Sequence, residues 1–146
     1  MPKIKKPSDV ELSERSENMN DDLASRFDAL NTAFNETELH LRALRPIRSV
    51  WVNYNQTSDD YGDIVREHLG MIKLDEKWQL CHAVEEQDSD GVFSDIQPVV
   101  ECPIEVRVGA VKAVRMLHQK IVQEKDHFKL VVEDAIKELT DICTEI

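Results

Sequence analysis

From Leu12 onward the apolar residues fall at Leu12, Met19, Leu23, Phe27, Leu30, Phe34, Leu41 and Leu44. From Leu23 the steps are 4, 3, 4, 7 and 3, and Thr37 occupies the one wide gap. That spacing puts a single apolar stripe on a helix of about seven turns. Asp9 or Ser8 can cap its start near Val10, and Pro46 ends it because the residue before a proline resists helical geometry.

The period then changes. Val50-Trp51-Val52-Asn53-Tyr54 is β-branched and aromatic and predicts a strand. Residues 55–65 are polar and read as a loop. Leu69 to Leu74 and Trp78 to Val84 predict a second and third strand around Asp75-Glu76-Lys77. Pairing Leu74 with Trp78 sets Ile72 opposite Leu80 and Gly70 opposite His82. Ile72, Leu74, Trp78, Leu80 and Val84 then share one face, with Trp78 in the core. Leu69, Met71, Cys81 and Ala83 share the other, with Lys73 and Gln79 at the turn end. Both faces are partly apolar, so helices or a partner subunit are expected against both.

Residues 85–98 read as a long acidic loop. Pro103 and Glu105 suit the first turn of a helix. Residues 104–108 alternate like a strand, but Ile104, Val108, Val111, Val114, Leu117 and Ile121 also step by 4, 3, 3, 3 and 4. The length of the continuing pattern favours helix. Phe128, Val131, Ala135, Leu139 and Ile142 carry the stripe on, past a polar stretch at Lys125-Asp126-His127 where the helix has room to break. The fold expected is α+β: a long N-terminal helix, a three-stranded antiparallel β-meander, and a long or broken C-terminal helix packed on the sheet. Residues 1–146 read as a single domain, with 1–10 a flexible basic tail.

A chain of 146 residues with 41% hydrophobic content has enough apolar matter for one core without disulfide staples. No apolar run reaches the ~18 residues of a membrane span, and no apolar segment follows the basic start as in a secretory leader. The cysteines, Cys81, Cys102 and Cys143, are odd in number and form no C-x-x-C pair. The expectation is a reducing compartment, hence the cytoplasm, and the two N-x-T triplets at Asn35 and Asn55 read as chance.

Charge sharpens the picture. The net charge is −11, and residues 49–103 alone contribute −9, from 3 basic and 12 acidic residues. The flanking segments contribute −1 each. Such a middle opposes phosphate-backbone binding, so neither nucleic acid nor a membrane is an expected partner. A local excess of one sign steers partners of the opposite sign, or serves solubility alone. The residues expected at work are Asp59, Asp60, Asp63, Glu85, Glu86, Asp88, Asp90 and Asp95.

Other chemistry is thinner. Glu86 to Gly91 resembles the start of an EF-hand calcium loop, but Gln97 stands where the bidentate glutamate belongs and the preceding segment is strand-like. In the register above His68 and His82 share a face, and with Cys102 they supply at most three zinc ligands; a packed His82 over Gly70 is the simpler reading. No nucleophile motif occurs, and 4 scattered glycines make no phosphate loop. No cofactor, metal or catalytic residue is assigned, and the sequence leans away from an enzyme. The C-terminal stripe carries Val114, Ile121, Phe128, Ala135 and Ile142 seven apart, which serves packing on the chain's own sheet or self-association.

The function expected is a cytoplasmic protein-binding or regulatory module, homo-oligomeric through its helices, whose acidic β region meets a basic protein. One alternative is a small-molecule or metal-binding protein, or an enzyme, with a pocket near Trp51, Tyr54, His68 and His82. Another is an acidic mimic of nucleic acid that inhibits a DNA-binding protein.

Overall fold

The computed structural model describes residues 9–145; the expected tail falls almost wholly outside them. Helix α1 spans Asp9–Ala43, strands β1 to β4 span Val50–Ser58, Ile64–Leu74, Lys77–Glu86 and Phe93–Pro98, a 3-10 turn covers Val99–Glu101, and helix α2 spans Ile104–Glu145. The fold is α+β, two long helices on an antiparallel meander of order β1-β2-β3-β4. Residues 104–108 are helical, and α2 runs without a break through Lys125-Asp126-His127.

The sheet has four strands where three were expected. The fourth, β4, lies inside the segment read as an acidic loop; its sequence FSDIQP has weak alternation, and Asp95 at φ 51° takes part in a bulge against β3. Strands β1 and β2 also extend into the polar stretch read as loop, because ladder hydrogen bonds rather than apolar side chains hold that part of the hairpin.

The β2–β3 register differs by one residue from the expected one. Asp75 and Glu76 both have positive φ, 51° and 63°, and make a two-residue turn that pairs Leu74 with Lys77. Positive φ at both central positions matches the strand twist and is the usual short hairpin turn. Met71 therefore opposes Leu80, Leu69 opposes His82 and Gly70 opposes Cys81. Ile72 and Leu74 turn away from Trp78, Leu80 and Val84. Trp78 is half-buried and packs against the core.

The helices cover one face only, where both were expected to be covered. On that face Val50, Val52, Leu69, Met71 and Leu80 meet Ala110, Ala113, Leu117 and Ile121 of α2 and Phe34 and Leu41 of α1. On the other face the Trp51 ring lies over Gly70 and meets Phe93 edge-on at 5.0 Å. Cys81 and Ala83 beside it are fully buried. The sheet thus roofs part of its open face with its own aromatic side chains.

Two side chains attach α1 to the sheet. Strand β4 pairs with β3 only from Cys81 onward, leaving the β3 edge unpaired at Trp78 and Leu80. Glu38 Oε2 accepts the Leu80 N–H at 3.0 Å, and Arg42 Nη2 donates to the Trp78 carbonyl at 3.0 Å. The two side chains also bond each other at 2.7 Å. They act as a short surrogate strand at an edge that would otherwise bury open backbone groups.

Farther along, Arg107 Nη1 donates to Asn31 Oδ1 at 2.5 Å, Lys125 Nζ to the Leu44 carbonyl, and Arg48 pairs with Glu124 at 3.3 Å. From Asn31–Arg107 to Leu44–Lys125 the partners rise together in residue number, so the two helices run in the same direction. Their packed segments are the second half of α1 and the first half of α2, and the remaining halves project at opposite ends. Met19, Leu23 and Phe27 on one arm, and Phe128, Val131, Leu139 and Ile142 on the other, are exposed.

Gly70 tests the close contact on the open face. A Cβ there falls 2.4 Å from the Trp51 ring and 2.7 Å from the Val50 carbonyl oxygen. Gly70→Ala should cost about 1–3 kcal/mol, the range of overpacking a filled site. Chemical denaturation of the variant reads this; an unchanged midpoint would show that Trp51 does not sit over Gly70.

Candidate functional site

An antiparallel meander brings alternate connections to one end of the sheet. The β1–β2 loop, with Asp59, Asp60 and Asp63, therefore lies beside the β3–β4 loop, with Glu86, Asp88 and Asp90. A hydrogen bond from the Ile64 N–H to Gln87 Oε1, 2.8 Å, ties them together. The carboxylates are not equivalent. Asp59 Oδ1 accepts the N–H groups of Tyr61 and Asp63, each at 2.9 Å, and so holds its own loop. Glu85 faces His68 Nε2 at 3.0 Å and Arg66 at 3.9 Å, and is occupied within the sheet. Asp60, Asp63, Glu86, Asp88, Asp90 and Asp95 are exposed. Sequence reasoning overlooked the two apolar side chains at the loop tips, Tyr61 at 90% and Val92 at 66% exposure. The acidic end thus has carboxylates around two exposed side chains, Tyr61 and Val92. Gly62 and Gly91, each with φ near 80°, shape the two tips.

The four residues of the suggested pocket fall into two pairs on opposite faces. His68 opposes Ala83 and His82 opposes Leu69, so the two imidazoles point away from each other. The one-residue difference in register is the reason they do not share a face. His68 joins Trp51 on the open face, stacked on Phe93 with centroids 4.3 Å apart. His82 joins Tyr54 on the helix-covered face, centroids 6.1 Å apart. Tyr54 sits at the β1 bulge between Asn53 and Asn55, which re-aims its ring toward α2, where Lys112 Nζ lies 5.8 Å over it.

Glu67 is the residue this second pair depends on; it lies in the part of β2 ahead of Leu69, where no strand was expected. Its Oε2 accepts from Asn55 Nδ2 at 2.5 Å, and its Oε1 lies 3.2 Å from His82 Nε2. The latter contact is close enough for an ion pair but out of line for a hydrogen bond. His82 Nε2 and Tyr54 Oη are both buried and have no hydrogen-bond partner among the described residues. Burial raises the Tyr54 hydroxyl above its usual range, with Glu67 adding to it. Burial pushes the Cys81 thiol up to about 12 and the Cys102 thiol up to about 11, so neither is a nucleophile at neutral pH. Among the described residues no three His, Cys, Asp or Glu side chains converge as a metal site. The EF-hand-like stretch links two strands, without the flanking helices of that motif.

A groove of about 780 Å³ runs between α1 and α2. Its floor includes Leu30, Phe34, Leu41 and Val114, and its rim carries His40, Lys112, Arg115 and His118. These basic groups are scattered along the sequence, on two helices, and only the parallel packing collects them. No helix among the described residues is long and apolar enough to cross a membrane. Comparison of the chain with protein-family models, curated proteins and solved structures yields no match.

His82 gives this cluster a readable signature. Burial lowers its pKa from the ordinary 6.5, while Glu67 opposes the shift. The folded protein thus takes up the proton less readily than the unfolded chain. The neutral imidazole's contribution is fully present above pH 6.5 and is lost as pH falls through 6.5 toward the folded value. The stability difference between the wild type and His82→Gln should therefore fall between pH 7 and pH 5, measured by denaturant midpoints at each pH. A difference that grows on acidification would show instead that Glu67 holds His82 charged.

Proposed function

We propose that the protein is a non-enzymatic binding or regulatory module whose acidic sheet end docks a basic protein partner, and that it self-associates through its helices. The observation that carries the reading is the convergence of two acidic loops around exposed Tyr61 and Val92. Interfaces combine an apolar or aromatic anchor, which supplies affinity, with charge around it, which speeds encounter and rejects wrong partners. Tyr61 has no structural reason to stand 90% exposed at a loop tip. The six exposed carboxylates are not used by the fold, and like charges on solvated loops add nothing to its stability. The three free cysteines, two of them buried, support a reducing compartment such as the cytoplasm. Self-association is supported by the two helical arms, whose exposed apolar stripes exceed scattered surface residues.

The test compares wild type with Tyr61→Ala and with Asp60→Asn, Asp88→Asn and Asp90→Asn combined. Both variants should keep the wild-type melting temperature. Affinity capture followed by mass spectrometry should recover a basic protein with the wild type, and lose it with the charge variant. Tyr61→Ala should weaken capture at the dissociation step, and wild-type capture should fall as salt shortens the ~8–10 Å screening length. Capture indifferent to all three changes would leave the acidity with a solubility role only.

A further inference from the structure

We infer that the groove between α1 and α2 is the seat of a second copy's α1, whose projecting half lies antiparallel across it. The inference rests on the self-association proposed above and assigns it a surface and a geometry.

The groove and the arm are complementary in chemistry. The groove is apolar at its floor and edged by Lys112 and Arg115 in a chain whose net charge is −11. Residues 15–26 of α1, the stretch that a two-fold axis near Asp28 sets against the groove, hold Glu17, Asp21 and Asp22 at their centre, with Arg15 and Arg26 at the two ends. Those three carboxylates, brought within a screening length of Lys112 and Arg115, favour the approach of this arm. The arm's apolar residues continue the groove's own stripe. Met19 and Leu23 precede Leu30, Thr37 and Leu41 in steps of 4, 7, 7 and 4, so one side of α1 is covered in its second half and open in its first.

Symmetry makes the arrangement self-limiting. A two-fold axis crossing α1 near Asp28 sets the two α1 helices antiparallel, with Leu23 opposite the partner's Ala33 and Met19 opposite the partner's Thr37. Each arm then fills one groove and each groove receives one arm, a closed isologous contact. The small side chain of Ala33 lets the backbones approach. The α2 arm is the lesser candidate for this groove. Its exposed Phe128, Val131 and Ile142 continue the side of α2 that bears Ala113 and Leu117 against the sheet, not the side that lines the groove.

The test uses the full chain with Cys143→Ser, which removes the exposed thiol. Leu23→Cys and Ala33→Cys are introduced together. The two positions are about 15 Å apart along one helix, so a disulfide between them must join two copies. Mild oxidation should give a dimer on a non-reducing gel, with a peptide joining residues 23 and 33 by mass spectrometry. Arg115→Glu, at an exposed position, should raise the dimer dissociation constant about tenfold or more in sedimentation while leaving the melting of dilute protein unchanged. A dimer that forms without the 23–33 link overturns the inference but leaves self-association standing, through the α2 arm. A single 16.8 kDa species at every concentration overturns both.

Discussion

Strand β3 is longer than β4, which pairs with only part of its edge, and the fold turns on how the rest of that edge is closed. Leaving the Leu80 N–H and Trp78 carbonyl buried without partners would cost about 1–3 kcal/mol each. Glu38 and Arg42 reach down from α1 and supply both partners, while holding each other at 2.7 Å. Bonds to charged groups are the stronger kind, about 1.5–3 kcal/mol, and this pair is partly shielded from water. The contact also fixes where α1 lies. Phe34 and Leu41, on the same helix, can then reach the core, and α1 comes to rest parallel to α2 with a groove between them.

That placement divides the molecule by chemistry. The helix-covered face carries the core and, at the β1 bulge, the Tyr54–Glu67–His82 cluster. The open face carries Trp51, His68 and Phe93 around buried small residues. The carboxylates are left at one end of the sheet, because a meander brings its first and third connections together. The helical arms point outward, with apolar stripes that stay exposed among the described residues. The Cys81 and Cys102 thiols lie inside, where burial raises both above the ordinary thiol range.

Much of this was legible in the sequence, for identifiable reasons. Both helices announced themselves through sustained 3.6-residue periodicity, and the first three strands through β-branched and aromatic runs. β4 was not legible, since Phe93-Ser94-Asp95-Ile96 is short, acidic and bulged. The register slipped by one because neither Asp75 nor Glu76 is the glycine or asparagine that usually marks a two-residue turn. That slip moved His68 and His82 onto one face and suggested a shared pocket. The acidic residues were found by charge counting, but the exposed Tyr61 and Val92 beside them were not, since exposure of single residues has no sequence signature. Glu38 and Arg42 stand four residues apart on a helix, a spacing common to exposed ion pairs. Nothing local says that the surface is a sheet edge.

If the Glu38–Arg42 clasp organises the fold, removing it should release α1 before it disturbs the rest. Residue-resolved amide hydrogen exchange on Glu38→Ala and the wild type measures this directly. The Leu80 amide should exchange at least about tenfold faster in the variant, with protection falling along the second half of α1. Ala110 to Ile121 of α2 and the β1–β2 ladder should keep theirs. Unchanged exchange at Leu80, or a uniform loss across both helices, would contradict the account and place the organising contact elsewhere in the core.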